Sequence, residues 1–299
     1  MENIFRGCGT ALVTPFKEDG SVDYEAYAAL VDRQVEGGVD FLTALATTAE
    51  TPTLSPEEKK EILRLTHEHC GGKPVLVGCG SNSVEGTLSN MRLLDCDAVS
   101  GWLVVVPFYN KPTQEGLYLY FKAIAAATSK PVVLYNVPGR TGMNMTAGTC
   151  LRAGADVDNI VAVKEASGNL SQVVEILRGA PAGFEVLSGD DDMTLDMMKE
   201  GAAGVISVAS NIAPAEVSAM VRAAEKGGYS EAEAINEGLM PLFKACFVES
   251  NPVPAKAALS LLGLCSDVMR LPLTAATEAT RETIGAAISG IPQIRTGQY

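Results

Sequence analysis

Lys164 closes the apolar run Ile160-Val-Ala-Val-Lys, and a lysine in that place can serve as a nucleophile. Burial disfavours the charged form of an amine, and a neutral amine attacks a ketone to give an imine. Tyr135 closes the run that starts at Pro131, and a phenol there can donate or accept the protons that imine formation requires. Arg140 follows in Asn136-Val-Pro-Gly-Arg-Thr, where its planar fork suits a substrate carboxylate. Thr47 and Thr48 close another run, and consecutive hydroxyls and amides can hold a carboxylate or relay a proton. Tyr109 closes a fourth, and Asp190, Asp191 and Asp192 a fifth. Each residue also has a plain structural reading. Lysine can snorkel from a strand end, tyrosine can belong to the core, and arginine can sit exposed in a loop. The threonines can cap ahead of Ser55, and the aspartates suit capping of the next helix better than metal binding.

Something must bring these ends together. Eight short apolar runs alternate with longer helical patterns: Gly9–Val13, Phe41–Ala46, Val75–Gly78, Gly101–Val106, Pro131–Tyr135, Ile160–Lys164, Phe184–Ser188 and Gly204–Val208. Several are almost continuously apolar, as strands buried on both faces must be. Between them, Tyr24, Tyr27, Val31 and Val35 mark one helix face, and Ser55-Pro56-Glu57-Glu58 opens a second helix with a capping box. Thr113 and Ala213-Pro214 open later ones. Eight strand–helix units over residues 1–226 predict a (β/α)8 TIM barrel, an α/β fold whose active sites lie at the C-terminal strand ends. The alternative is an open doubly wound sheet, but Thr14-Pro15-Phe16 stands where a glycine-rich dinucleotide loop would follow the first strand. Residues 227–299 read as a helical appendage packed on the barrel. Ser230-Glu231-Ala232-Glu233 forms a second capping-box pattern, Asn251-Pro252 opens another helix, and Thr274 a third.

Composition narrows the class. The formal net charge of −13 disfavours nucleic acid as a partner. The run Trp102–Phe108 is too short to cross a bilayer, and the opening residues have no basic stretch followed by a long apolar one. A cytoplasmic protein without a membrane segment is therefore expected. Seven cysteines with no C-x-x-C pair argue against a disulfide framework or structural zinc, and most should be buried. The only two histidines, His67 and His69, point to different helix faces, which disfavours a shared metal, and their scarcity disfavours Ser-His or Cys-His catalysis.

Taken together, the motifs resemble those of the dihydrodipicolinate synthase family, within the N-acetylneuraminate lyase superfamily. The resemblance runs from Thr10-Ala-Leu-Val-Thr-Pro-Phe to Asn251-Pro-Val-Pro-Ala-Lys. It is carried by Thr47-Thr-Ala-Glu-Thr, Pro107-Phe-Tyr-Asn-Lys-Pro-Thr-Gln-Glu-Gly, Leu134-Tyr-Asn-Val-Pro-Gly-Arg-Thr-Gly, Val163-Lys-Glu-Ala-Ser-Gly, Ser188-Gly-Asp-Asp and Gly204-Val-Ile-Ser-Val. It implies condensation of pyruvate with L-aspartate 4-semialdehyde, on the route to lysine and diaminopimelate, with no metal or other cofactor. By the same resemblance Lys164 forms the imine, and Tyr135, Thr47 and Tyr109 relay protons. Thr48 and Ile206 hold pyruvate, and Arg140 binds the semialdehyde carboxylate. Tyr109 would enter from a neighbouring subunit, which implies a homo-oligomer, usually a tetramer built as a dimer of dimers.

Two other functions share this barrel. A 2-keto-3-deoxy sugar acid or N-acetylneuraminate lyase would keep Lys164 and Tyr135 but differ at the aldehyde end, where Arg140 favours the synthase. A non-catalytic binding barrel has no use for the intact set of Lys164, Tyr135, Thr47 and Arg140. The chain departs from the family where Ala46 and Ala49 replace common glycines. It also carries Pro56, Lys59 and Phe108 where lysine-inhibited members resemble His, His and Tyr, although Asn82 remains. Weak or absent inhibition by lysine is therefore expected.

Overall fold

Alternating apolar runs and amphipathic segments form a closed barrel in the computed structural model, which describes residues 4–291. The opening Met1–Asn3 and residues 292–299, the end of the expected appendage, lie outside the described residues. The strands are β1 (Gly7–Ala11), β2 (Phe41–Ala44), β3 (Val75–Gly78), β4 (Gly101–Val105), β5 (Val132–Asn136), β6 (Ile160–Glu165), β7 (Glu185–Ser188) and β8 (Gly204–Ser207). All pair in parallel and in chain order, and β8 closes on β1 from Gly7↔Gly204 to Thr10↔Ser207. The helices of the barrel region are α1 (Tyr24–Glu36), α2 (Pro56–His69), α3 (Val84–Leu94), α4 (Gln114–Ala125), α5 (Pro138–Thr141), α6 (Ala147–Asp156), α7 (Leu170–Gly179), α8 (Thr194–Lys199) and α9 (Pro214–Glu225). After them come α10 (Tyr229–Ala245), α11 (Val253–Leu261) and α12 (Glu278–Ser289). Among the described residues no helix is long and apolar enough to cross a membrane.

Local chemistry starts these helices where side chains can reach orphan backbone N–H groups. Ser55 and Glu58 close a reciprocal capping box on α2, and Thr113 accepts from Gly116 at the start of α4. The expected box at Ser230 does not form: α10 begins two residues earlier, at Tyr229 with Gly228 at the cap, so Ser230 lies inside its first turn. The last helix starts after Thr277, not Thr274, because Glu249 accepts from the Thr277 N–H and from the hydroxyls of Thr277 and Thr280. Five of the seven cysteines are buried, while Cys96 is exposed and Cys265 intermediate.

Two apolar layers result. One lies between strands and helices, and the other fills the barrel with Ala11, Phe41, Leu76, Leu103, Val133, Leu187 and Ile206 among its members. Strict alternation along β6 would put Ile160 beneath Ala162 and Lys164 inside the barrel. Instead the β5–β6 register slips between Val132↔Ile160 and Val133↔Ala162. Ile160 therefore packs in the outer layer, and Val161 joins Ala162 in the inner one.

Strand ends also differ from the sequence expectation. β1 starts and ends two residues early because the Val13 N–H leaves the ladder and donates to Asn211 Oδ1 at 3.2 Å. β2 stops at Ala44, where Leu45 takes a left-handed φ of 55° and Ala46 opens a 3-10 turn over Thr47–Ala49. Ala46 has a φ of −85°, and neither Ala46 nor Ala49 lies at positive φ, so alanine costs nothing in backbone strain at either position.

The helices after α9 are tied to the barrel by charge. Lys256 on α11 is fully buried, and its Nζ donates to Glu50 Oε1 at 2.9 Å and to the Val268 carbonyl at 2.6 Å. Burial pushes this amine down, and Glu50 acts against that fall. The other Glu50 oxygen accepts from the Arg270 N–H at 3.1 Å, and the Arg270 side chain pairs with Glu58. Truncating one member of a buried pair strands the other without water or partner. Lys256→Met should therefore cost about 3 kcal/mol or more, lowering the thermal unfolding midpoint by roughly 6 °C or more. An unchanged midpoint would show that Glu50 finds other compensation.

Candidate active site

Parallel register sets the centre of the site. Tyr135 on β5 pairs with Lys164 on β6, and the next residues, Asn136 and Glu165, pair in turn. Successive side chains leave a strand on opposite faces. Tyr135 thus joins the inner layer, and Lys164 Nζ lies 4.4 Å from its ring centroid. Asn136 and Glu165 turn the other way, where the Glu165 carboxylate accepts from Asn136 Nδ2 and Gln172 Nε2 and from the Ser167 N–H. Burial raises the Glu165 carboxyl, and these donors pull it back. The network pins the outer faces of the strands whose inner faces carry Tyr135 and Lys164.

Lys164 is only 4% exposed, yet among the described residues it forms neither a hydrogen bond nor an ion pair. Asp190 and Asp191 supply its electrostatic surroundings. Asp190 is pushed up to about 6, mainly by burial and against the pull of Lys164. Asp191 does not cap α8 as expected. Its Oδ2 accepts from the Val208 and Ala209 N–H groups, both at 3.0 Å, so it caps the turn that follows β8. Burial raises this carboxyl also. Between strand and triplet, Gly189 leaves room for the amine: a Cβ there would sit 3.0 Å from Lys164 Cε and 2.6 Å from the Ala166 Cβ.

A cavity of about 440 Å³ opens beside this centre, with Thr47, Tyr135, Arg140, Leu103, Lys59 and Phe108 among its walls. Thr47 reaches it from the turn after β2. That turn is pressed against β3, where a Cβ on Gly78 would come within 2.2 Å of the Leu45 carbonyl oxygen. Arg140 reaches it from the short helix α5, not from an irregular loop. Lys59 is half-buried in the same wall, and burial lowers its amine.

Tyr135 thus joins the cavity to Lys164, and Ile206 is buried in the same inner layer as Tyr135. The hydroxyls of Thr47 and Tyr135 share the cavity but make no hydrogen bond to each other. Tyr109 stands apart. It lies four residues beyond the end of β4, with a left-handed φ of 75°, and is 88% exposed. Its N–H donates to the Thr141 carbonyl at 3.4 Å, which ties its backbone to α5 while its ring faces outward.

One residue was overlooked at the level of motifs. Asn251 is buried just before α11, and its Nδ2 donates to Thr48 Oγ1 at 3.0 Å. Its carbonyl accepts from Arg140 Nη2 at 3.2 Å. The only signal for it in the sequence was the Asn-Pro pair, which marks a helix start and nothing more.

Comparison with known proteins places the chain among relatives of one family. Residues 4–291 match the profile of the dihydrodipicolinate synthetase family. The 4-hydroxy-tetrahydrodipicolinate synthase of Parabacteroides distasonis is 49% identical over 280 residues, which cover 93% of this chain and 94% of that one. The crystal structure of dihydrodipicolinate synthase from Thermotoga maritima superposes with a TM-score of 0.94 at 43% identity, covering 96% and 98% of the two chains. A structure described as a monomeric dihydrodipicolinate synthase variant also superposes at 0.94, with 43% identity and coverage of 96% and 97%.

The crowding at Gly189 gives a direct test. Gly189→Ala should overpack the wall beside Lys164 and cost about 1–3 kcal/mol. Gly148→Ala, in α6 with open space around its missing Cβ, should be neutral or stabilising by up to about 1 kcal/mol. Thermal melting of the two variants side by side checks the contrast, and equal midpoints would contradict it.

Proposed function

The chain belongs to the dihydrodipicolinate synthetase family, and we propose from that premise that Lys164 condenses pyruvate with L-aspartate 4-semialdehyde. The chain is a lyase, and its product is 4-hydroxy-tetrahydrodipicolinate. The observation that carries this reading is a buried lysine with no ion-pair partner among the described residues, stacked on a tyrosine that lines the substrate-sized cavity.

The chemistry uses the geometry as follows. The Lys164 amine adds to the keto carbon of pyruvate, water leaves, and an imine forms. Tyr135 carries protons to and from the addition intermediate, with Thr47 next in the relay. Loss of a methyl proton gives an enamine, whose carbon attacks the aldehyde of the second substrate. The amine of that substrate then adds to the imine carbon, closes the ring and expels Lys164. Thr48 and Ile206 hold pyruvate. Arg140, with all but one donor of its fork still unpaired among the described residues, takes the carboxylate of the semialdehyde.

Two features extend the proposal. Tyr109 serves the relay of a neighbouring subunit, in a homotetramer arranged as a dimer of dimers; its outward ring supports this. The catalytic groups come from residues 1–226, and residues 227–299 brace them. Lysine has little hold on this chain, because Lys59 puts a cation in the cavity wall and repels the lysine ammonium.

Initial rates with pyruvate plus L-aspartate 4-semialdehyde, beside pyruvate plus N-acetylmannosamine, test the reading. Turnover should be confined to the semialdehyde, and sub-millimolar L-lysine should leave it unchanged. Turnover of the sugar alone would move the chain to the lyase branch, and strong inhibition by lysine would refute the role given to Lys59.

A further inference from the structure

The site as described has two carboxylate holders on separate elements, Thr48 in the turn after β2 and Arg140 in α5. Asn251, from neither element, touches both. Its side chain and its main chain do different work. The Nδ2 group donates to Thr48 Oγ1 at 3.0 Å, and the carbonyl accepts from Arg140 Nη2 at 3.2 Å. The residue is buried, and its Oδ1 has no hydrogen-bond partner among the described residues.

A hydroxyl has one proton and two acceptor lone pairs. Because Asn251 fills an acceptor position on Thr48, the Thr48 proton stays free to point at a substrate oxygen. We infer that Asn251 is a positioning residue: it aims the Thr48 hydroxyl at the pyruvate carboxylate and fixes Arg140 for the carboxylate of the second substrate. This rests on the roles given above to Thr48 and Arg140. The appendage is therefore part of the substrate-binding device. The segment that carries Asn251 is anchored by Lys256 on Glu50, and Glu50 immediately follows the Thr47–Ala49 turn. The turn and its brace are held at both ends.

The division between side chain and carbonyl makes the inference testable. Asn251→Asp keeps the shape but replaces the donor with a carboxylate, which takes the Thr48 proton and repels pyruvate. Asn251→Ala removes the group and leaves Thr48 free to turn to the substrate. Half-saturation by pyruvate should rise tenfold or more in N251D and only a few-fold in N251A. Half-saturation by the semialdehyde should stay within about threefold in both, because the carbonyl that holds Arg140 remains. A packing role predicts the reverse order, with N251A worse than N251D, and that result would overturn the inference.

Pyruvate-dependent elevation of the thermal midpoint reads the same ordering without turnover. If wild type is stabilised by pyruvate but does not turn over the semialdehyde, the proposed second substrate fails, while the ordering of the variants still decides the role of Asn251. If N251D does not fold, N251A is compared in wild-type and Thr48→Val backgrounds. The inference expects a several-fold effect on pyruvate in the first and none in the second; equal effects in both would contradict it.

Discussion

The proposed chemistry depends on the pairing of Tyr135 with Lys164 across β5 and β6. Placing an amine in an apolar barrel is unfavourable unless its surroundings compensate it. The face of Tyr135 lies 4.4 Å away, and Asp190 contributes charge while itself being held up to about 6. Among the described residues no ion pair locks the amine in place, which leaves it open to the proposed imine chemistry. The register that creates this contact also creates the Asn136–Glu165 network behind it, so that the reactive face and its support come from the same two strands.

A second constraint acts on the turn after β2. Thr47 lines the cavity although the strand has ended, and the turn that carries it is flanked by left-handed residues at Leu45 and Glu50. Glu50 is held by Lys256 and Arg270, and Thr48 by Asn251, all from beyond the barrel strands. The helices after α9 thus stabilise a conformation that the turn would not hold alone. Buried charge is costly in general, so the Glu50–Lys256 pair is better understood as a means of fixing this geometry than as a source of stability.

Much of this was legible in the sequence. Apolar runs give strands a strong signature, and all eight were found, with ends displaced by up to two residues. Lys164, Tyr135 and Arg140 stood out because strand ends in a barrel converge. What escaped notice depends on contacts between distant segments. The slip that sends Ile160 outward and Val161 inward leaves no mark on the alternation of β6. Tyr109 was placed at a strand end because aromatic residues continue the apolar run, whereas the backbone had already left the ladder at Val105. Asp191 looked like a cap for the helix beside it, but its partners lie 17 and 18 residues away. Asn251 carries no local signal beyond the Asn-Pro pair that marks a helix start, since both its partners are set by the folding of the appendage onto the barrel.

The central claim is that Lys164 forms a covalent imine with pyruvate. Borohydride reduction in the presence of pyruvate, followed by intact-mass measurement and peptide mapping, tests it most directly. The account predicts one reduced adduct per chain, located on Lys164 and lost in Lys164→Ala. No adduct, or an adduct on another lysine, would contradict it.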